Sequence, residues 1–308
     1  MHPKLWLAMF IAAVGWASGG IATRAAFNEG VGGWTMIAMR ALIAAVLVGA
    51  VMLAKRIPRP SRAVVMFGVV QAVFNLTVPY IMFTFAYDEA SVGFVALFAA
   101  LIPMATAIYA HFMLHEEPLS VGKLLALFVS FAGVAFLLLS GDSGLSDGGR
   151  PVLAAGLALA GVASIGYAGA FAKRNAGEYH PLMITGLQFG IASVALVIAM
   201  FVIEGAPSDV TATGWWLIMV MAVAATFMPF LIYFWLLERI SATEASLIGY
   251  MVPLIALVGG LLLLDEQLQT GIIVGGALVF AGLVLADQQS RRASRSAAEV
   301  RRLGRFGG

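Results

Sequence analysis

Apolar residues in this chain fall in long runs of about 20, broken by short polar or charged stretches, and no segment alternates strictly. A helix of that length crosses the roughly 30 Å hydrocarbon core of a bilayer, whereas a spanning strand would be about half as long and would alternate. The pattern predicts an all-α integral membrane protein with ten transmembrane helices. Five runs cover Leu5–Thr23, Trp34–Ala54, Ala63–Tyr87, Ser91–Leu114 and Leu119–Leu139. Five more cover Val152–Phe171, Pro181–Ile203, Gly214–Leu237, Ala242–Leu264 and Gly271–Ala286. The first run reads as a helix and not as a cleaved signal. It has no clean small-residue cleavage site, and Trp16 and Gly19-Gly20 look like packing features.

Composition agrees: 61% of the 308 residues are hydrophobic and 11% charged, against roughly a quarter charged in soluble domains. With no cysteine there is neither a disulfide framework nor a thiolate metal site, and the redox compartment stays open. Net charge is only +2, but its distribution is informative. If both termini are cytoplasmic, fifteen of the eighteen basic residues lie inside, among them Lys55, Arg56, Arg59, Arg62, Lys173, Arg174 and the six arginines from Arg291 to Arg305. Only Arg24 and Arg150 lie outside, and Arg40 sits within a span. The expectation is a multi-pass protein of the cell (inner) membrane with both ends cytoplasmic. Its basic tail, 289–308, would lie against anionic lipid and not against nucleic acid.

The chain also repeats. Moved on by 150 residues, Pro79-Tyr80 falls on Pro229-Phe230 and Pro103 on Pro253; at 149, Glu116-Glu117-Pro118-Leu119 falls on Asp265-Glu266-Gln267-Leu268, and Phe131-Ala132-Gly133 on Phe280-Ala281-Gly282. Near 151, Gly15-Trp16-Ala17 falls on Gly166-Tyr167-Ala168. Residues 1–140 and 150–288 therefore form two five-helix repeats. Five is odd, so the second copy enters the membrane from the opposite side. Inverted repeats with a site near the midplane between them are a device of secondary transporters.

Five plus five spans, Arg40 in the second, the acidic turn Glu116-Glu117-Pro118 after the fourth and Phe131-Ala132-Gly133 in the fifth resemble the EamA family of the drug/metabolite transporter superfamily. The resemblance covers the chain to about Ala286, departs from the pattern at Gln267, where the turn usually carries Pro, and extends to the amino-acid exporter branch. It implies export of small metabolites, amino acids including aromatic ones, with no cofactor and no enzymatic activity.

For the site, Gln71, Asn75, Pro79 and Phe83 recur every four residues and share a helical face, matched in the second half by Met221, Ala225, Pro229 and Tyr233. Pro79 frees the carbonyl of Asn75 and should bend the helix. Each residue alone would serve a packed contact equally well; the stripe together favours a substrate cavity, walled further by Trp16, Tyr80, Tyr167, Tyr233, Trp235 and Tyr250. Trp235 would serve equally as an interfacial anchor. Arg40, whose counterpart is Gln188, reads either as a functional charge or as a structural one.

Other chemistry is weakly supported. All sixteen acids lie at span ends, in loops or in the tail, which disfavours a carboxylate-based exporter of lipophilic cations, although fifteen methionines keep a broad-specificity drug exporter as the alternative. Glu116-Glu117 and Asp265-Glu266 should cap the fifth and tenth helices. His111 and His115 have metal-ligand spacing but no third histidine nearby, so no metal is expected. An intramembrane hydrolase would need Ser18 with a base such as His111, in a motif without the flanking glycine of a nucleophile turn. Gly259-Gly260 and Gly275-Gly276 permit close contact within or between copies, leaving the oligomeric state open.

Overall fold

The computed structural model describes residues 3–114, 121–145, 149–175, 180–237, 239–240 and 248–304, and these contain helices and no strand. In chain order the helices are α1 (Pro3–Asn28), α2 (Gly33–Ala54), α3 (Arg62–Glu89), α4 (Val92–Met113), α5 (Val121–Ser140), α6 (Pro151–Arg174) and α7 (Pro181–Ile203). Next, α8 runs from Ala212–Ala222 through a wide turn, Val223–Phe227, into Met228–Leu237. Last come α9 (Ile248–Leu263) and α10 (Thr270–Gly304). Seven of these are long and apolar enough to cross a membrane, and Leu124–Ser140, Met251–Leu263 and Thr270–Ala286 are shorter apolar stretches. The last helix does not stop at Ala286 as expected but continues through the basic segment to Gly304.

Helix starts follow from local chemistry. Ser61, Ser91 and Thr211 accept from the N–H three residues on, and His180 Nδ1 accepts from Leu182 at 3.2 Å, so orphan donors are met by the chain itself. Both α3 and α8 widen by one residue just before a proline. Val78 N–H donates to Val73 in α3, and Met228 N–H donates to Val223 in α8. Proline cannot donate and its ring crowds the carbonyl four residues back, so an i→i+5 turn relieves both problems. The expected bend at Pro79 is thus a π-turn, repeated in the same register 150 residues later. Pro103 instead interrupts α4 with a tight turn, Leu101 N–H to Phe98 O at 2.9 Å, whereas Pro253 is carried inside α9.

Packing partners exchange between the halves. The pairs α2·α7 and α5·α10 join equivalent helices; α6 lies on α3 and α4, and α1 on α8 and α9. Between α5 and α10 the exchange holds residue by residue. Gly133 abuts Gly275 and Val279, while Gly282 abuts Ala126 and Ser130, the positions 149 earlier. Ser130 Oγ donates to Val279 O between them. Small residues let these backbones touch where no hydrophobic effect drives association.

The acidic-turn expectation needs correction. Glu116-Glu117 lie outside the described residues, and Glu266 caps a different helix from the one predicted. Its Oε1 accepts from Val92 N–H, at the start of α4, at 2.7 Å. The tenth helix is capped by Asp142, which accepts from Gly271 N–H at 2.7 Å.

Candidate functional site

The two π-turns carry polar side chains that meet the facing half. Arg40 Nε on α2 donates to Thr226 Oγ1 in the α8 turn at 2.8 Å. Thr226 spends its own proton on Met221 O at 2.8 Å. The 3.3 Å contact between Thr226 Oγ1 and the Tyr80 hydroxyl is therefore donated by Tyr80. The Arg40 guanidinium lies over the Tyr80 ring, 4.4 Å from its centre, where the ring's negative face attracts it. Its head points at α1, for a Cβ on Gly19 would sit 3.5 Å from Nη2. A second pair, one residue out of register with the first, joins α7 to the α3 turn: Asn75 Nδ2 donates to Gln188 Oε1 at 3.1 Å. Gln188 stands where Arg40 would fall after exchange of the halves, and Asn75 where Ala225 would. One pair is charged, the other neutral.

Around these pairs the aromatics form two separate groups. Trp16 meets Phe230 edge-on at 6.0 Å and Tyr233 at 5.6 Å, and Phe189 meets Phe230 at 5.7 Å, so this group borders the Arg40–Thr226 pair. The second group centres on Tyr167, with Phe74 at 4.8 Å and Tyr109 at 5.7 Å, between α3, α4 and α6.

Of the expected cavity residues, Asn75 and Tyr80 belong to the polar pairs, Trp16 and Tyr233 to the first aromatic group, and Tyr167 to the second. Gln71 is placed elsewhere. It is buried, and Nε2 donates to Ala168 O at 3.0 Å, fastening α3 to α6 beside the Ser164 hydroxyl on Phe74 O. Phe83 packs against Gly161 in the apolar core. Pro79 is buried after its turn, and Pro229 rests on Gly15. Trp235 stands at the end of α8, its ring 4.2 Å under the Arg239 guanidinium, an exposed position suited to anchoring. The side chain of Tyr250 lies outside the described residues, as does His115.

Four residues outside the expected cavity set complete the site: Arg40, Thr226, Gln188 and Phe230. Only offset arithmetic from Arg40 and Tyr80 pointed toward the last two. Ser18 Oγ donates to Gly15 O at 2.7 Å, so its proton is held by its own helix as in a packing serine. No cluster of three metal-ligating side chains occurs among the described residues.

A cavity of about 220 Å³ lies between α4, α5 and α6, lined by Leu101, Met104, Tyr109, Leu127, Phe131 and Val162. It is apolar and uncharged, and holds none of the expected site residues. Chemistry therefore places the candidate site at the polar pairs.

One end of the bundle is tied by bonds between helices. Arg24 Nη1 donates to the carbonyls of Tyr87 and Asp88, and Glu204 accepts from Trp34 N, Thr35 N and Thr35 Oγ1 at the start of α2. Gly144 exchanges bonds with Gln267 N and Gln269 Oε1, Ser91 N donates to Ser143 O, and Arg150 pairs with Glu89. Burial pushes the Glu266 carboxyl up from its ordinary value, and the N–H groups of Val92 and Gly93 pull it back.

A crystal structure of another protein aligns with 95% of this chain and 99% of its own at a TM-score of 0.63; at 18% identity only the fold is shared. The transporter YoaV of Bacillus subtilis, described as uncharacterized, is 28% identical over 189 residues, 60% of this chain and 62% of its own length. Protein PecM of Dickeya dadantii is 26% identical over 219 residues, 70% of this chain and 71% of its own. The EamA-like transporter model matches twice, over residues 4–139 and 152–286. Together with the apolar helices, those two matches make this a multi-pass membrane protein that belongs to the EamA-like transporter family.

Proposed function

We propose that the protein exports small amphipathic metabolites, amino acids including aromatic ones, by alternating access through a cavity between two inverted five-helix repeats. The observation that carries this reading is the pair of polar contacts, Arg40–Thr226 and Asn75–Gln188, joining opposite halves beside the Trp16, Phe230 and Tyr233 rings. Polar groups placed mid-bundle among aromatics suit a solute with one polar and one apolar end. The double family match, the repeated π-turns and the exchanged packing partners support ten spans in two related units, 1–140 and 150–288. The basic residues favour cytoplasmic termini in the cell (inner) membrane. The end tied by Glu266 and Glu204 would then face outward and be closed. Export, as opposed to import, rests on the resemblance to the exporter branch.

Thr226→Val tests the site. Valine keeps the shape but offers no acceptor to Arg40 Nε or the Tyr80 hydroxyl. A charged hydrogen bond counts for about 1.5–3 kcal/mol, so flux of labelled phenylalanine from proteoliposomes should fall about tenfold or more while the protein stays folded. Undiminished flux would remove these residues from the path.

A further inference from the structure

We infer that Arg40 is the receptor for the substrate's carboxylate, so that the protein selects solutes bearing a carboxylate and rejects the corresponding amines and esters. This deepens the proposed function and rests on it for the idea that a solute enters between the halves. Three observations carry it.

The first is an unmatched charge. Arg40 lies within α2, half-buried, in a span otherwise free of charge. A guanidinium there is costly unless it is paired or wet. Its Nε is used by Thr226 and its face by Tyr80, but among the described residues no carboxylate pairs with it; the ion pair found there is Arg150–Glu89. Nη1 and Nη2 remain as a planar fork, the shape that binds a carboxylate through two parallel bonds.

The second is direction. The fork faces α1 at Gly19, where an added Cβ would stand 3.5 Å from Nη2 and 4.0 Å from Nη1, so both terminal nitrogens are turned to α1 while Nε meets Thr226.

The third is the placement of apolar surface. Trp16 lies one turn before Gly19 on α1, and Phe230 one turn after Thr226 on α8, so the paired rings belong to the turns next to those the guanidinium touches, a step of ~5 Å along each helix. That separation matches a carboxylate and an aromatic ring on one small molecule. Gln188, at the equivalent place in the other half, is neutral, so the charge fixes which way the solute lies. Thr226 and Tyr80 act as positioning residues: Thr226 accepts from Nε and the Tyr80 ring lies against the guanidinium face, so that the fork is turned toward α1.

The test measures thermal stabilisation of the purified full-length protein by four compounds: phenylalanine, 3-phenylpropanoate, phenylalanine methyl ester and phenethylamine. The first two should raise Tm and the last two should not. In Arg40→Gln the half-saturating concentration of both acids should rise about 10- to 100-fold, while Arg40→Lys keeps part of the affinity. The inference is overturned if ester and amine stabilise the unaltered protein as well as the acids do, which needs no variant. It is overturned equally if neither acid binds, or if Arg40→Gln binds both unchanged. If 3-phenylpropanoate binds through Arg40 but no labelled amino acid crosses liposomes, the carboxylate receptor stands and the amino-acid reading falls.

Discussion

Gly133→Leu should destabilise this protein more than any other single change to a small residue in α5. A Cβ at 133 would stand 2.7 Å from Gly275 O and 2.8 Å from Val279 N. Both are backbone atoms of α10, so no side chain can rotate away and the two helices must separate. Overpacking costs about 1–3 kcal/mol where side chains can adjust, and a backbone clash belongs at or above the upper end. Gly282→Leu should act alike, since it meets Ala126 O and Ser130 N of α5 at the exchanged positions. Gly190→Leu is the control: nothing lies within 4 Å of its added Cβ, and leucine is the better helix former. Thermal unfolding in detergent should show a large fall in Tm for the first two and none for the third. Equal Tm values across the three would mean that α5 and α10 do not touch as described.

Glu266→Ala should open the tied end. The carboxylate accepts from Val92 N–H, beside Ser91, whose own groups are committed to Ser143 O and Phe94 N. Removing it leaves the start of α4 without its anion, against the helix dipole and with donors unmet, at a cost of about 1.5–3 kcal/mol. The closed end loses that amount relative to a state in which water reaches these donors. A single cysteine at Ser18, in this cysteine-free chain, should then react about tenfold faster with an impermeant maleimide added on that side. An unchanged rate would show that Glu266 caps α4 without holding the halves together.

Much of the bundle was legible because membrane helices are set by length and apolarity. The run Pro181–Ile203 coincides with α7 residue for residue, and, the extension of α10 to Gly304 apart, the others differ at their described ends by a few residues where caps such as Thr211 decide. The site was less legible, for geometric reasons. Positions four apart on a helix of 3.6 residues per turn drift by about 40° each step, ~120° from Gln71 to Phe83, but the extra residue of the π-turn takes back about 100°, so Phe83 returns to the face of Gln71 while Asn75, inside the turn, points elsewhere. Gln71 and Phe83 consequently face α6, and Asn75 faces α7. Thr226 carried no signal, because a threonine in a small-residue helix usually packs. Glu266 reads locally as the cap of the helix that follows it; its choice of α4 is a tertiary fact that no neighbouring residue announces.

Counterflow in proteoliposomes reports whether one site between the halves, exposed to each side in turn, carries amino acids. Vesicles loaded with unlabelled phenylalanine are diluted into a trace of labelled phenylalanine. A carrier with one alternating site must draw label in against the label's own gradient, driven by the outward gradient of unlabelled solute, because each return of the site from inside is occupied by unlabelled solute. Label should accumulate transiently above its external concentration, with no such rise in vesicles without protein and a greatly reduced one in Thr226→Val. Labelled phenylalanine that never exceeds the protein-free control would mean that no alternating site carries it.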